Sequence, residues 1–256
     1  MPAKALRNSK QPLQAGALGL LNPRQSPETD IFTAISPDLV LKHSPRAKRL
    51  TLRVDIKTKK INLVIPKNVR LSRAYQFALE HKYWIREQLS VLPQNITYAH
   101  GTVIPVLGQD RVIHIDHDAT RRTTDIVLHA SRIMIHTNKH DVTPRLTRFL
   151  KTLARDHMTA MAEQKATRIG KKIHKIDIKD TVSRWGSCSH DGKISLNWRL
   201  IFAPLDALDY VVAHEVAHLK YLDHSPSFWQ ICEDLAQNYS TGKSWMRRHS
   251  QGLYKY

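Results

Sequence analysis

The sequence predicts an α+β fold, because strand-like and helix-like patterns occupy different parts of the 256-residue chain instead of alternating along it. Period-two apolar runs dominate residues 36–140, which are expected to form a β-rich N-terminal part with one helix. Longer helical patterns dominate residues 141–256. Residues 1–35 contain four prolines, show no periodicity and hold no acidic residue before Glu28, a composition typical of a disordered basic tail.

The β-rich part is expected to contain two groups of strands around one helix. The first three strands, at 39–41, 49–54 and 61–65, follow one another closely, so we expect an antiparallel meander. A helix with apolar residues at helical spacing follows at 71–92, and Pro93 ends it. Turn residues separate four further strands, expected at 102–107, 111–116, 125–128 and 132–136.

The C-terminal part begins with a long predicted helix at 143–169, and Gly170 supplies its C-terminal stop. Strand-like residues 173–182 and 193–196 flank the turn-forming sequence SHDG at 189–192. We therefore expect these two strands to pair as a hairpin.

Another helix is predicted directly after this hairpin, with Asp206 as its N-cap just beyond Pro204. An apolar stripe at helical spacing predicts that one side of this helix is buried. The stripe consists of Leu208, Val211, Val212, Val216 and Leu219.

The last turns of this helix carry the sequence HEVAH at 214–218. Residues four apart share a helix face, so His214 and His218 can direct two imidazoles at one point, with Glu215 beside it. Two imidazoles and a third ligand leave one corner of a tetrahedral zinc site to a water, whose pKa the metal lowers to about 7. Glu215 is positioned to take the proton of that zinc-bound water. The pattern therefore predicts a zinc-dependent hydrolase with Glu215 as its catalytic base.

The third zinc ligand has two candidates in the sequence. His224 has the offset of the third histidine in the extended metzincin motif, although Tyr221 stands where that motif has glycine. Glu233, on the helix that Ser225 and Pro226 are expected to start, is the competing ligand. We favour His224 because it lies at the turn that follows the first two ligands.

The formal net charge of +18 is distributed unevenly. Residues 205–239 hold six acidic side chains and a single basic one, Lys220, so the segment with the predicted metal site is locally acidic. Lysines and arginines are concentrated elsewhere, for example at 42–60 and 165–175. Such a surface keeps a protein soluble or recruits nucleic acid, and the sequence leaves both interpretations open.

The two cysteines, Cys188 and Cys232, lie far apart in the sequence, which indicates a reducing compartment and no disulfide framework. Cys188 is expected to be a small packed residue and not a metal ligand. The chain has no apolar run of about 18 residues, so no membrane partner is expected and the predicted location is the cytoplasm.

Several stretches carry a family resemblance: SRWGSCS at 183–189, LNWRL at 196–200, YVVAHE at 210–215 and HSPSFW at 224–229. They resemble the YgjP-like zinc metallopeptidases and, more distantly, the SprT and WLM proteases. The resemblance also includes PRAKR at 45–49, and it covers about residues 38 to 250.

This resemblance implies a zincin-like metallopeptidase core, in which a small sheet lies beside an active-site helix that carries the HExxH sequence. Matched motif by motif, it makes His214, His218 and His224 the zinc ligands and Glu215 the base. Members of the family are described as metal-dependent hydrolases, with both peptidase and nucleotide-pyrophosphatase activities attributed to them.

A metallopeptidase that cleaves a peptide or protein is the leading functional hypothesis, because the acidic catalytic segment would repel an anionic triphosphate. An edge strand within residues 176–196 is expected to pair with an extended substrate. Arg184 and Tyr239 are the candidates for substrate binding or for stabilising the oxyanion, and the sequence does not choose between them.

Two alternatives remain at this point. One is a metal-dependent nucleoside triphosphate pyrophosphatase that grips phosphates with Arg184, Lys193 or Arg199. The other is a protease recruited to nucleic acid through its basic surface, as the similarity to SprT implies.

Overall fold

The strand-like segments of the sequence form three sheets in the computed structural model, which describes residues 31–92 and 94–256. Contacts divide this part of the chain into two compact units. The first consists of residues 31–53 and 61–86, and the second of residues 54–60 and 87–256.

Most of the predicted N-terminal tail, residues 1–35, lies outside the described residues, which begin at 31. Residues 31–35 are part of the first unit, where Phe32 and Ile35 are buried. The ring of Phe32 packs edge-on against Tyr75, with 5.6 Å between the ring centroids. The packed chain therefore begins before residue 36.

A three-stranded sheet contains β1 (Leu39–Ser44), β2 (Thr51–Asp55) and β3 (Lys60–Pro66) in the order β1-β3-β2. β1 runs parallel to β3, so the predicted antiparallel meander is wrong. The reason lies in β3, whose residues Ile61 and Leu63 are fully buried. This most apolar strand takes the central position, where both of its edges are paired.

The helix predicted at 71–92 is divided into α1 (Leu71–Glu80) and α2 (Lys82–Ser90). His81 leaves the helical conformation, with φ −101° and ψ 14°, and its ring Nδ1 lies 2.8 Å from the carbonyl oxygen of Phe77. The apolar spacing continues through this break, so the sequence pattern did not reveal it. Pro93, the predicted stop, lies outside the described residues.

The second unit contains a four-stranded sheet in the order β4-β5-β7-β6, close to the strand positions predicted. β5 and β7 are parallel, whereas β4 and β6 pair antiparallel to β5 and β7 respectively. Its strands are β4 (Val103–Val106), β5 (Gln109–His117), β6 (Asp125–Leu128) and β7 (Arg132–Thr137).

The long helix α3 (Thr143–Arg168) follows this sheet and ends as predicted, at Gly170, whose φ is +63°. Ile104 and Ile133 of the sheet share one hydrophobic core with Leu150 of α3 and with the helices that follow. For this reason the sheet belongs to the second compact unit, whereas the sequence had placed it with the N-terminal part. The boundaries of the compact units, at residues 53/54, 60/61 and 86/87, therefore differ from the predicted boundary at 140/141.

The third sheet has the order β8-β10-β9 and contains β8 (Lys175–Lys179), β9 (Gly186–Cys188) and β10 (Lys193–Asn197). β8 is parallel to β10, so the predicted hairpin between these two strands is wrong. The antiparallel partner of β10 is β9, which reaches it through the predicted turn, with Gly192 at φ +75°. β9 is three residues long and has no period-two apolar pattern, so the sequence did not reveal it.

The chain then forms a 3-10 helix (Trp198–Phe202), the helices α4 (Leu205–Ala217), α5 (Pro226–Leu235) and α6 (Tyr239–His249), and a second 3-10 helix (Ser250–Lys255). The predicted stripe of α4 is buried at Leu208, Val212 and Val216. Its predicted cap is wrong, however, because Pro204 occupies the N-cap position. Asp206 lies in the first turn and accepts a hydrogen bond from Asn238 Nδ2 (3.0 Å).

A buried ion pair connects α3 to α4. Lys165 Nζ lies 2.5 Å from Asp209 Oδ1, and each side chain is 5% exposed. Lys165 Nζ also donates a hydrogen bond to the carbonyl oxygen of Leu235, and Asp209 Oδ2 accepts one from the backbone N–H of Gln237. The pair therefore also holds the end of α5.

Within the described ranges 31–92 and 94–256, no helix combines the length and apolar character needed to cross a membrane. Cys188 and Cys232 are free thiols, Cys232 being fully buried.

Candidate metal centre

Three histidine side chains meet at the C-terminal end of α4. His214 lies in the last turn of this helix, and His218 is its C-cap. His224 stands immediately before Ser225, which caps α5 by accepting a hydrogen bond from Phe228 N, as the Ser-Pro sequence predicted. One potential ligand atom from each histidine lies within 4.8 Å of the other two.

The structure thus brings together the three histidines that the sequence predicted as ligands. Glu233, the competing third ligand, lies on α5 and is not part of this cluster. Among the described residues, no other group of three or more His, Cys, Asp or Glu side chains has metal-ligand spacing.

The imidazoles of His214 and His218 are held in the form that binds a metal. His218 Nδ1 lies 2.9 Å from the carbonyl oxygen of Tyr221. Because a carbonyl only accepts, Nδ1 carries the proton and Nε2 keeps its lone pair. Burial lowers the pKa of His218, and burial together with the nearby His218 and His224 lowers that of His214 to about 4. The rings of His214 and His218 are therefore neutral at pH 7, as metal binding requires.

The spacing of the cluster also suits zinc. His214 Nε2 lies 3.2 Å from His224 Nε2. Two nitrogen ligands at about 2.0–2.1 Å from a tetrahedral zinc are separated by about 3.4 Å, so the observed distance leaves room for the ion. Three neutral imidazoles form the donor set of catalytic zinc sites, which keep the fourth position open.

An aromatic wall, formed by Phe228 and Trp229 at the start of α5, supports the three imidazoles. The centroid of the fully buried Phe228 ring lies 5.0, 4.4 and 4.7 Å from the ring centroids of His214, His218 and His224. Trp229 adds contacts to His214 and His224. The family resemblance includes both aromatic residues, but their spacing alone did not predict that they pack on the ligands.

Glu215 is buried beside the histidines, with 5% of its surface exposed. Burial raises the pKa of its carboxyl to about 8 in the metal-free chain, and the positive charge of Arg184 opposes this shift. β9 lies directly against the carboxylate, since a Cβ atom added to Gly186 would lie 2.4 Å from Glu215 Oε1. The sequence did not reveal this contact, because the two residues are distant in the chain.

Arg184 lies at the end of the loop that leads from β8 to β9. This loop is fixed because Asn197 Nδ2 donates a hydrogen bond to the carbonyl oxygen of Thr181, and Tyr254 Oη donates to those of Thr181 and Val182. Arg184 is exposed, and its charge acts on Glu215.

Tyr239 lies on the His214 side of the cluster. Its ring is 5.6 Å from Tyr210, whose ring is in turn 6.0 Å from His214. Lys243 donates a hydrogen bond to the Tyr239 hydroxyl (2.7 Å) and lies over the ring of Trp229. No sequence pattern predicted a role for Lys243, because only the packing of α6 brings it here. The two predicted oxyanion residues therefore approach the site from different directions.

Two histidines and a glutamate at HExxH spacing, with a third histidine that converges on them from the following segment, are typical of metal-dependent hydrolases. The chain matches the family described as YgjP-like, metallopeptidase domain, over residues 48–249, and it belongs to that family. Membership supports a metal-dependent hydrolase of the metallopeptidase kind. A comparison with curated protein sequences found no match.

Among solved structures, the chain is similar to the crystal structure of the metallopeptidase zymogen of Pyrococcus abyssi abylysin. The two are 21% identical, and the match covers 36% of this chain and 95% of that one with a TM-score of 0.33. Similarity at this level carries no argument about this chain.

We expect Gly186→Ala to displace the Glu215 carboxylate while leaving the three histidines in place, because the new methyl group would overlap the carboxylate and not the imidazoles. Zinc content should stay at the wild-type level, and hydrolysis of a mixed peptide library should fall on the order of 100-fold, the scale of a misplaced catalytic group. Gly252→Ala is the matched control, since its Cβ would meet nothing within 4 Å. Wild-type turnover in Gly186→Ala would show that the position of the carboxylate is not critical.

Proposed function

We propose that the protein is a zinc-dependent metallopeptidase, with His214, His218 and His224 as zinc ligands and Glu215 as the general base. The observation that carries this proposal is the convergence of three imidazoles beside one buried carboxylate. In this proposal α4 is the HExxH helix of a zincin-like core, and the β8-β10-β9 sheet is its neighbouring sheet.

The chemistry requires a water to attack a peptide carbonyl and a proton to reach the departing amine. When bound, zinc supplies a Lewis acid that lowers the pKa of water to about 7 and polarises the carbonyl. Glu215 takes the proton from the attacking water and returns it to the amine. This role needs the charged carboxylate. Burial raises the pKa of the carboxyl to about 8, and the charge of Arg184 and that of a bound cation would oppose this shift.

A peptide substrate can be held by β9, the edge strand of its sheet. Edge strands bind extended peptides through their unpaired backbone groups. Since Gly186 of β9 lies against Glu215, a peptide on this edge would run beside the catalytic carboxylate. Arg184 or Tyr239, the latter together with Lys243, would stabilise the oxyanion.

The triphosphate alternative needs free cations, and two of its three candidates are engaged. Lys193 Nζ lies 2.6 Å from Asp191 Oδ2. Arg199 forms an ion pair with Asp180 and lies over the ring of Trp198. Of these three candidates, only Arg184 has no ion pair within the described residues, which favours a peptide over a nucleotide.

Glu215→Gln tests the proposed base, because glutamine has nearly the same shape and cannot accept the proton. We expect the variant to keep its zinc and its fold but to lose peptide turnover by at least about 100-fold. Glu163→Gln, an exposed glutamate on α3, is the matched control. Assays of both zinc-loaded proteins on a peptide library and on nucleotides measure the effect. Undiminished turnover in Glu215→Gln would remove this residue from the mechanism, and hydrolysis of nucleotides alone would favour the pyrophosphatase.

We also propose, as a second candidate function, that the first unit recruits the enzyme to nucleic acid. The described residues of this unit carry ten lysines and arginines against two acidic residues. A groove of about 320 Å³ in the same unit is lined by Arg49 and by the rings of Phe77, His81 and Trp84. Aromatic rings beside cations are the usual platform for the bases of a single strand.

Charge reversal at Arg46, Lys48 and Arg49, all exposed, tests the recruitment proposal. Wild-type binding to a labelled oligonucleotide should weaken steeply with salt, with log affinity falling by about 0.9 per phosphate contacted on duplex DNA and slightly less on a single strand. The reversal should reduce binding and leave cleavage of a small peptide unchanged, because the site lies in the other unit. Reversal of the exposed Lys139, Lys171 and Lys172 is the control. Recruitment is contradicted if the wild type does not bind the oligonucleotide at low salt, or if reversal at Arg46, Lys48 and Arg49 leaves binding unchanged.

A further inference from the structure

A pocket of about 220 Å³ lies at the third sheet, close to the edge strand β9. Its polar lining includes Lys179 of β8, Ser195 of β10, Ser187 of β9, and Ser183 and Arg184 of the loop between β8 and β9. No acidic side chain lines it. Such a lining, with two cations and several hydroxyl donors, suits an anionic group.

The cations of this pocket are available to a ligand. Lys179 and Arg184 form no ion pair with any residue of the described chain, whereas Lys175 on the same strand pairs with Asp177 (2.9 Å). Asp177 lies opposite Ser195 in the sheet register, where its carboxylate pairs with Lys175 and is also within the field of Lys179 and Lys193, so cations outnumber it. The hydroxyls of Ser187 and Ser195 likewise have no side-chain hydrogen bond within the described residues, so they can donate to an oxyanion.

The pocket is placed where a bound peptide would meet it. Gly186 lines the pocket and also lies against Glu215, so one strand separates the pocket from the catalytic carboxylate. Successive side chains of a strand point to opposite faces of a sheet. The Cβ direction of Gly186 meets Glu215, so Ser187 faces the other side. A peptide paired with β9 would therefore present alternate side chains to Glu215 and to the Ser187 face.

We propose that this pocket is a specificity subsite that binds an acidic side chain of the peptide substrate. The inference rests on the proposed peptidase function and names the substrate class of that site. A carboxylate bound here would contact the ammonium of Lys179, the guanidinium of Arg184 and the serine hydroxyls, and these contacts would anchor the peptide on β9 next to the base. With Arg184 engaged in the subsite, Tyr239 together with Lys243 would stabilise the oxyanion.

Binding tests the subsite independently of turnover. The zinc-loaded Glu215→Gln protein is titrated with fluorescent dodecapeptides of serine, alanine and valine, blocked at both ends, in which a single Glu is moved through the sequence. Each is compared with the same peptide carrying Gln. At one or more positions the Glu peptide should bind at least about tenfold more tightly, the scale of a hydrogen-bonded charge.

Lys179→Met, added to Glu215→Gln, should reduce this preference severalfold or more, and Lys172→Met, which removes an exposed charge outside the pocket, should preserve it. A Gln peptide with a free C-terminal carboxylate tests whether the pocket binds the C-terminus of a peptide and not an acidic side chain. The proposal is overturned if only that peptide binds tightly, or if Glu and Gln peptides bind equally. It is also overturned if the preference for Glu survives Lys179→Met. If the preference is present but the wild-type enzyme cleaves none of these peptides, the subsite stands and the peptidase proposal fails.

Discussion

The buried ion pair between Lys165 and Asp209 is the constraint on which the arrangement of the metal centre depends. It joins α3 to α4, and the hydrogen bonds from Lys165 to Leu235 and from Gln237 to Asp209 include the end of α5 in the same network. α4 carries His214 and Glu215, whereas His224 stands at the beginning of α5. Removing one partner of a buried pair leaves an uncompensated charge, at a cost of about 3–5 kcal/mol. The network thus penalises separation of α3, α4 and the end of α5, the helices around the three imidazoles.

A second constraint places the sheet against this helix. Glycine at position 186 lets β9 approach α4 so closely that its backbone confines the Glu215 carboxylate. The same strand is an edge of its sheet and lines the basic pocket. The proposed base, the proposed peptide-binding edge and the proposed subsite therefore all depend on one short strand. Residues 205–239, which include the proposed ligands, are locally acidic. The cations that would hold an acidic substrate come instead from the third sheet and the loop between β8 and β9.

The features predicted correctly from sequence are local ones. The grouping of His214, His218 and Glu215 follows from helical periodicity. The strands of the four-stranded sheet follow from alternation and turn residues. Long-range pairing could not be predicted in this way: β8 and β10 are parallel and separated by β9, and β3 lies between β1 and β2. The contacts of Gly186 with Glu215 and of Lys243 with Tyr239 and Trp229 likewise arise only when distant segments pack. At His81 the backbone leaves the helical conformation although the apolar spacing continues, so periodicity alone did not predict this break.

Metal content tests the central claim, that His214, His218 and His224 form one zinc site, most directly. Zinc is measured by elemental analysis in the purified wild type, in His218→Ala and in His190→Ala. The first variant removes a proposed ligand, whereas the second removes an exposed histidine of the β9–β10 turn, outside the cluster. Our account predicts one zinc per chain in the wild type and in His190→Ala, and markedly less in His218→Ala. Full stoichiometric zinc in His218→Ala would contradict it.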